Sequence, residues 1–316
     1  MSQQITTSMV NQFSANVFHL SQQKGSRLRP YVRSESQHAE VAFYDRIGTT
    51  TALKKLGRHS DTTYQDTPYS RRAVTMADYF MADLVDKEDK LRIIHNPESE
   101  YTQSFMMAMG RAIDDVIIAG LLNPAQTGKD GSVAVSLPNA QKMAASDGVA
   151  LVGSKMNVAT LRRLSRIFNE RETGDEERYL AITAAQLESL LGETETTSSD
   201  YNTIKALVDG SLNSFMGFKF IRTERLPVTT AVTYYNPLTG AVNATLTGAF
   251  TATAPVGARR CVAWQKLGIL LAVGKDVEGK ISELPEKHYA KQVYACMTFG
   301  SVRMEEEKVV EVITLD

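Results

Sequence analysis

Only two cysteines occur in 316 residues, Cys261 and Cys296, with no CxxC spacing and no histidine-rich neighbourhood. This rules out a disulfide framework and reads as reduced thiols of a protein folded in a cytoplasm, suited to packing more than to chemistry. Neither sign of charge dominates. Against 35 Lys and Arg stand 36 Asp and Glu, so the whole protein gives no electrostatic argument for nucleic acid or a membrane surface. The opening MSQQITTSMV lacks the basic start and apolar core of a secretion signal. Long apolar runs are missing as well. The nearest approach to one, YTQSFMMAMGRAIDDVIIAGLL, carries Arg111, Asp114 and Asp115 in its middle. A membrane span needs about 20 apolar residues, and each central charge costs roughly 3 kcal/mol. That stretch is therefore a helix of a protein interior.

Signatures of catalysis are absent too. No HExxH, GxSxG or GxGxxG occurs. Gly128-Lys129 looks like the end of a phosphate loop, but Asn123 and Asp130 stand where that motif needs Gly and Ser or Thr. The carboxylates of DKEDK (86–90) lack the alternating ligands and central glycine of a calcium loop, and read as a solvated helix start. Asp114 and Asp115 are adjacent on a helix and point about 100° apart, which prevents them from sharing one metal. The five histidines are scattered, and Asn243-Ala-Thr245 is a glycosylation sequon in form only. No catalytic, cofactor-binding or metal-binding residue is assigned, and no cofactor is expected.

What is present is ordinary globular composition, 43% hydrophobic and 22% charged, enough for one large domain or two of usual size. Met9, Phe13, Val17 and Leu20 at helical spacing predict an amphipathic helix ending at Gly25. Lys24, Arg27, Arg29 and Arg33 then make a locally basic arm. Two segments rich in Val, Tyr, Phe and Thr, Glu40–Gly48 and Ser70–Val85, read as strands. About twenty polar residues separate them, with Lys54, Lys55, Arg58 and Asp61, so a hairpin with a long tip is expected.

Asn96-Pro97 opens the long helix, with Pro97 in the first turn and Asn96 as candidate cap. Tyr101, Phe105, Ala108, Ala112, Val116 and Leu121 form an apolar stripe that Met106, Met109, Ile113 and Ile117 widen. Arg111 and Asp115, four apart, are expected to pair. Asn123-Pro124 ends the helix, and Lys129-Asp130-Gly131 turns a small hairpin. A second amphipathic helix places Leu161, Leu164, Ile167 and Phe168 inward and Arg162, Arg163 and Arg166 outward. RYLAITAAQLESLLG reads as a strand and a helix stopped by Gly192, and SFMGFKFIRTERLP as one strand. The remainder is strand after strand. Helices and strands mix without regular alternation, which is the α+β class. One segment, residues 228–258, has no charge until Arg259; such a β surface is packed on its own body or kept for another subunit.

The order of these parts carries a resemblance. QQKGSRLRPYV after an amphipathic helix, SRRAVTMADYFMADLVDKEDKLRIIHNPESEYTQSFMMAMGRAIDDVIIAGL, YLAITAAQLESLLG, SFMGFKFIRTERLP and KLGILLAV…ISELPEKHYAKQVYACMTFGSVRM are, in that order, similar to segments of tailed-bacteriophage major capsid proteins. The resemblance runs from about Gln22 to the end. It implies a Hong Kong 97-like capsid fold: N-terminal arm 1–39, extended loop 40–85, peripheral domain 86–153 with spine helix 98–122, axial domain 154–266 including the uncharged insertion 228–258, and C-terminal strands 267–316. Phe105, Met109, Ala112, Ile113 and Val116 would form the core of the spine helix. Candidate contacts with neighbouring subunits are Lys54, Lys55, Arg58, Asp61, Arg71 and Arg72. The arm cations Lys24, Arg27, Arg29 and Arg33 would face a scaffolding protein or packaged DNA, or bind acids of neighbouring subunits. Some members cross-link a Lys to an Asn with a Glu assisting, and Lys54 and Lys55 lie where such a lysine would be. The partners implied are the chain itself as pentamers and hexamers, a separate scaffolding protein, a portal, a decoration protein and enclosed double-stranded DNA, with no membrane. An encapsulin-type compartment holding a cargo enzyme shares the fold, and an unrelated soluble α+β enzyme is the third reading.

Overall fold

The computed structural model describes residues 22–55, 57–58, 61–85, 97–145, 155–174, 177–192, 214–229 and 258–315. The expected N-terminal helix, the Asp86 helix start, the Asn96 cap, the sequon and nearly all of the uncharged segment lie outside those residues. The chain divides into two compact units, each drawn from three stretches: Met1–Ser26, Ala77–Ile113 and Lys275–Phe299 make the first, and Arg27–Met76, Asp114–Gly274 and Gly300–Asp316 the second.

The first unit holds β4 (Ala77–Val85), the first part of α1 (Pro97–Leu122), and most of β13 (Ile269–Leu284) and β14 (Ala290–Arg303). β14 shows the period-two pattern of a one-faced strand: Val293, Ala295, Met297 and Phe299 are buried while the residues between them are half-buried. β4 runs antiparallel to it, from Lys291 opposite Val85 to Phe299 opposite Ala77. On α1 two neighbouring rows are buried: Phe105, Met109 and Ile113, continued into the second unit by Ile117 and Leu121, and beside them Gly110, Asp114, Ile118 and Leu122. The stripe is thus rotated from the sequence expectation. Ala112 and Val116 flank it half-buried, and Tyr101 and Met106 are exposed. Gly110 explains the arm's path: a Cβ there would meet the Gly25 carbonyl carbon at 2.5 Å. The expected Arg111–Asp115 pair does not form. Arg111 instead donates to Gln22 Oε1 at 2.7 Å, and Asp115 accepts from Arg225 at 2.6 Å.

The second unit is built on a sheet ordered β7 (Lys142–Ala144), β15 (Val309–Leu315), β12 (Ala258–Gln265), β8 (Arg178–Ile182), β10 (Phe218–Arg222) and β9 (Ser214–Phe215), with β11 (Val228–Thr229) on β12. Cys261 to Trp264 are wholly buried in the middle of it, as long unbroken apolar runs in a doubly covered sheet should be. Helix α2 (Val158–Glu170) is capped by Asn157, whose side chain accepts from Thr160 N at 2.7 Å, and buries Leu161, Leu164 and Phe168. Helix α3 (Ala184–Leu191) starts on a capping box of Thr183 and Gln186 and stops at Gly192, as read.

Two readings need correction. SFMGFKFIRTERLP is a hairpin, not one strand: Met216 and Gly217, both at positive φ, turn β9 onto β10. This is the two-residue turn that favours Asn-Gly. Met216→Asn should therefore raise stability by about 0.5–1 kcal/mol in denaturant unfolding, by relieving a side chain held in the left-handed region. Ser70–Val85 is likewise two strands. β3 (Tyr69–Thr75) pairs with β2 (Val41–Ile47), and the chain breaks at Met76 before β4. Gly300 lets the Thr75 carbonyl approach at that break. β3 also pairs with β5 (Ala125–Thr127), and β5 with β6 (Val133–Val135) through the Lys129-Asp130-Gly131 turn. β1 (Arg33–Ser36) lies parallel to the first residues of β13.

Candidate assembly surfaces

β2 and β3 form the expected hairpin, in register from Val41 opposite Thr75 to Ile47 opposite Tyr69. The alternation of a strand sends its side chains to two faces. Tyr44, Arg46, Arg72 and Val74 point to the interior, where Val74 joins Ala125, Leu270, Ala272, Val302 and Met304 in a buried cluster against which Tyr44 packs. Val41, Phe43, Ile47 and Tyr69 stay exposed on the other face. There Arg71 pairs with Asp45 at 3.1 Å and lies over the Phe43 ring at 5.5 Å. An uncovered row of large apolar side chains on a strand pair is a candidate contact surface. Beyond the last strand pair, the described residues between 49 and 68 are almost all exposed, Tyr64 to 91%. Lys54, Lys55, Arg58 and Asp61 all lie in that tip, exposed and with no ion pair to another described residue. Arg72 does not join them. Strand alternation turns it inward, where it is buried and ion-paired with Glu306, which is a correction to its reading as a contact residue.

Glu306 is the centre of a charge cluster that sequence reading missed. Its carboxylate serves Arg46 from β2 at 3.5 Å, Arg72 from β3, and Arg303 from the end of β14 at 3.9 Å. Burial pushes the Arg72 and Arg303 guanidiniums below their ordinary pKa, and Glu306 opposes that shift. Arg303 also donates to the carbonyls of Leu121 at 2.8 Å, Asn123 at 3.1 Å and Val135 at 3.1 Å. It thus meets the open carbonyls and partial negative charge at the C-terminus of α1. The ribbon base and the helix end are tied through one carboxylate. No local motif announces this, since the three arginines are spread over more than 250 positions.

The basic arm is largely used within the chain. Asp114, wholly buried, accepts from the backbone N–H groups of Arg27 at 3.1 Å and Leu28 at 3.0 Å. Asp115, one position on and exposed, pairs with Arg225. The two carboxylates diverge as helical geometry demands. Arg27 donates to the Arg222 carbonyl at 2.7 Å, and Arg33 pairs with Glu35. Arg29 sits on the half-buried turn Arg29–Tyr31, and Lys24 is exposed. Leu28 and Val32 are buried, and Tyr31 is held by the Trp264 indole, which donates to its carbonyl at 3.0 Å, and by the Tyr179 ring at 4.9 Å.

Tyr179 itself offers a pH test. Burial, and then its hydrogen bond to the Glu177 carboxylate at 2.5 Å, push its hydroxyl up to about 12. A raised folded-state pKa means the unfolded chain loses this proton first. The contribution is complete below pH 10 and disappears as pH rises to about 12. Relative to Tyr179→Phe, the wild type should lose up to about 2 kcal/mol across that window. Urea titrations of both proteins at pH 9 and 11.5 measure it.

An open groove of about 790 Å³ lies at the end of β2 and β3 from which the tip leaves. Its lining includes Arg46, Thr49, Gln141, Arg171, Glu305 and Glu307. Among the described residues no three His, Cys, Asp or Glu stand together to hold a metal, and no helix is long and apolar enough to cross a membrane.

The model of a phage capsid protein family matches residues 5–315. No curated protein sequence matches the chain. Among solved structures, the capsid of cyanophage P-SCSP1u is 14% identical, with 99% of this chain and 94% of that chain covered and a TM-score of 0.73. The acidic stable capsid of Helicobacter pylori bacteriophage KHP30 is 11% identical, covering 100% and 98%, at 0.72. The capsid of cyanophage Pam1 is 13% identical, covering 98% and 97%, at 0.71. At such identities the structures speak for a shared fold, and the family match carries the membership. With an α+β fold of phage capsid type and that match over nearly its whole length, the chain belongs to the phage capsid protein family and is a structural protein of the virion head shell.

Proposed function

We propose that this chain assembles as pentamers and hexamers into an icosahedral shell around double-stranded DNA, with a separate scaffolding protein and a portal, and a decoration protein as a further partner. The observation that carries this is the ribbon of β2 and β3: an exposed apolar face and a tip whose described residues from 49 to 66 are all exposed. A shell of many copies gains from arms that multiply shallow contacts without enlarging each core. In this reading the ribbon is the extended loop lying over a neighbour, α1 is the spine of the peripheral domain, and the sheet around β12 belongs to the axial domain. Of the arm cations, Lys24 is the one left to meet scaffold or DNA, since Arg27 and Arg33 are engaged inside the chain. An encapsulin-type compartment gains no support from the family match, which is to phage capsid proteins. The test is expression of the chain with and without its genomic neighbours, followed by microscopy of the particles. Shells that close to uniform size only with a neighbouring gene product fit the reading. Shells that fill with an enzyme and no DNA, or a small stable oligomer, contradict it.

A further inference from the structure

One buried cluster carries more positive charge than its own chain answers. Arg46, Arg72 and Arg303 meet a single carboxylate, that of Glu306, and Arg72 and Arg303 are 1% and 0% exposed. Two of the three have further acceptors. Arg46 also donates to the Met304 carbonyl and to Ser70 Oγ at 3.2 Å. Arg303 meets the C-terminus of α1, which counts for about half a negative charge. Among the described residues, Arg72 has Glu306 alone. Its Nε and Nη1 are buried with no acceptor, and Arg303 Nε is a third such donor. The next carboxylate that acts on Arg303, Glu311, is already paired with Arg260. The cluster therefore keeps an excess of more than one positive charge. Burial accordingly lowers the pKa of both Arg72 and Arg303.

The charges on the adjoining groove leave that balance as it is. Asp45 pairs with Arg71, Glu305 with Lys308 and Arg33 with Glu35, while Arg171 and Glu307, both exposed, are opposite in sign. A water molecule would satisfy an unused N–H but leave the charge unmet, whereas an anion meets both needs. We propose that the cluster binds one small monovalent anion, of the chloride type, against the unused N–H groups of Arg72. The groove supplies the way in. Arg46 and Ser70 line it, and strand alternation puts Arg72 on their face of the ribbon, two residues from Ser70. A divalent oxyanion is a poorer fit, because the cost of stripping its water rises steeply with charge.

The test is urea unfolding of the full chain in sodium chloride and in sodium gluconate at equal ionic strength, so that screening is the same in both. Wild type should be the more stable in chloride. Above the dissociation constant, each tenfold rise in chloride should lower the unfolding constant about tenfold, as a single site requires. Glu306→Gln removes the competing carboxylate and should bind chloride roughly tenfold more tightly or better. Arg72→Met should unfold at the same urea concentration in both salts. Equal wild-type midpoints in the two salts overturn the site, with water then filling it. A chloride response that Arg72→Met retains overturns it too, since the ion would lie elsewhere. Should Arg72→Met not fold, Glu306→Gln decides: a chloride response no stronger than that of the wild type overturns the proposal.

Discussion

Replacing residues 50–67 by a two-residue turn is expected to give a folded subunit that builds no shells. The described residues among those excised add no strand and bury almost nothing, while Gly48 N already donates to the Pro68 carbonyl at 2.8 Å and marks where a short turn can close the ladder. Shortening the loop lowers its closure cost by only about 1.3 kcal/mol, so the subunit should unfold no more easily than the wild type. Assembly is different. Every copy would lose the part that reaches past its own body, and the loss is repeated at every contact of the shell. Circular dichroism and light scattering on the same sample separate the two effects. Normal shells from the shortened chain would contradict the role given to the ribbon.

Ile113→Asp should abolish the folded subunit. Ile113 is 2% exposed, between Met109 and Ile117 in the buried row of α1. An aspartate there adds a charge without a partner and removes the packed side chain, a combination that costs on the order of 4–5 kcal/mol or more. Ordinary domains hold only about 5–15 kcal/mol in total. The contrast with Asp114 makes the argument sharper. That neighbouring carboxylate is fully buried yet tolerated, because two backbone N–H groups of the arm meet it. Insoluble or unfolded Ile113→Asp protein beside well-behaved Val116→Ala would fit. Soluble, assembly-competent Ile113→Asp would show that α1 is not the beam of the fold.

Much of the architecture follows from local rules. The end of α1 before Asn123-Pro124, the small hairpin at Lys129-Asp130-Gly131 and the stop of α3 at Gly192 all come from turns, caps and periodicity. Two kinds of feature escape such rules. A strand that ends on one sheet and resumes on another, as at Met76, keeps its β composition throughout, so nothing local marks the break. The phase of a nearly all-apolar helix is also poorly specified by composition: Ala112 and Val116 are as apolar as Met109 and Ile117, and only packing decides that the second pair is buried. The assembly surface was half visible. Exposure of the tip follows from its polar residues, whereas the inward turn of Arg72 depends on strand register, and the meeting of Arg46, Arg72 and Arg303 on Glu306 depends on contacts between distant segments. One signal for the arm's anchor was present: Asp114 lies four residues from both Gly110 and Ile118, on the buried side of an apolar helix, and a carboxylate there must find donors.

The most direct measurement is electron microscopy of the expressed chain together with its genomic neighbours. The account predicts closed, uniform icosahedral shells in which this chain is the main component and the ribbon crosses onto the adjacent copy. Under all those conditions, a monodisperse oligomer of a few chains with no shells would contradict it.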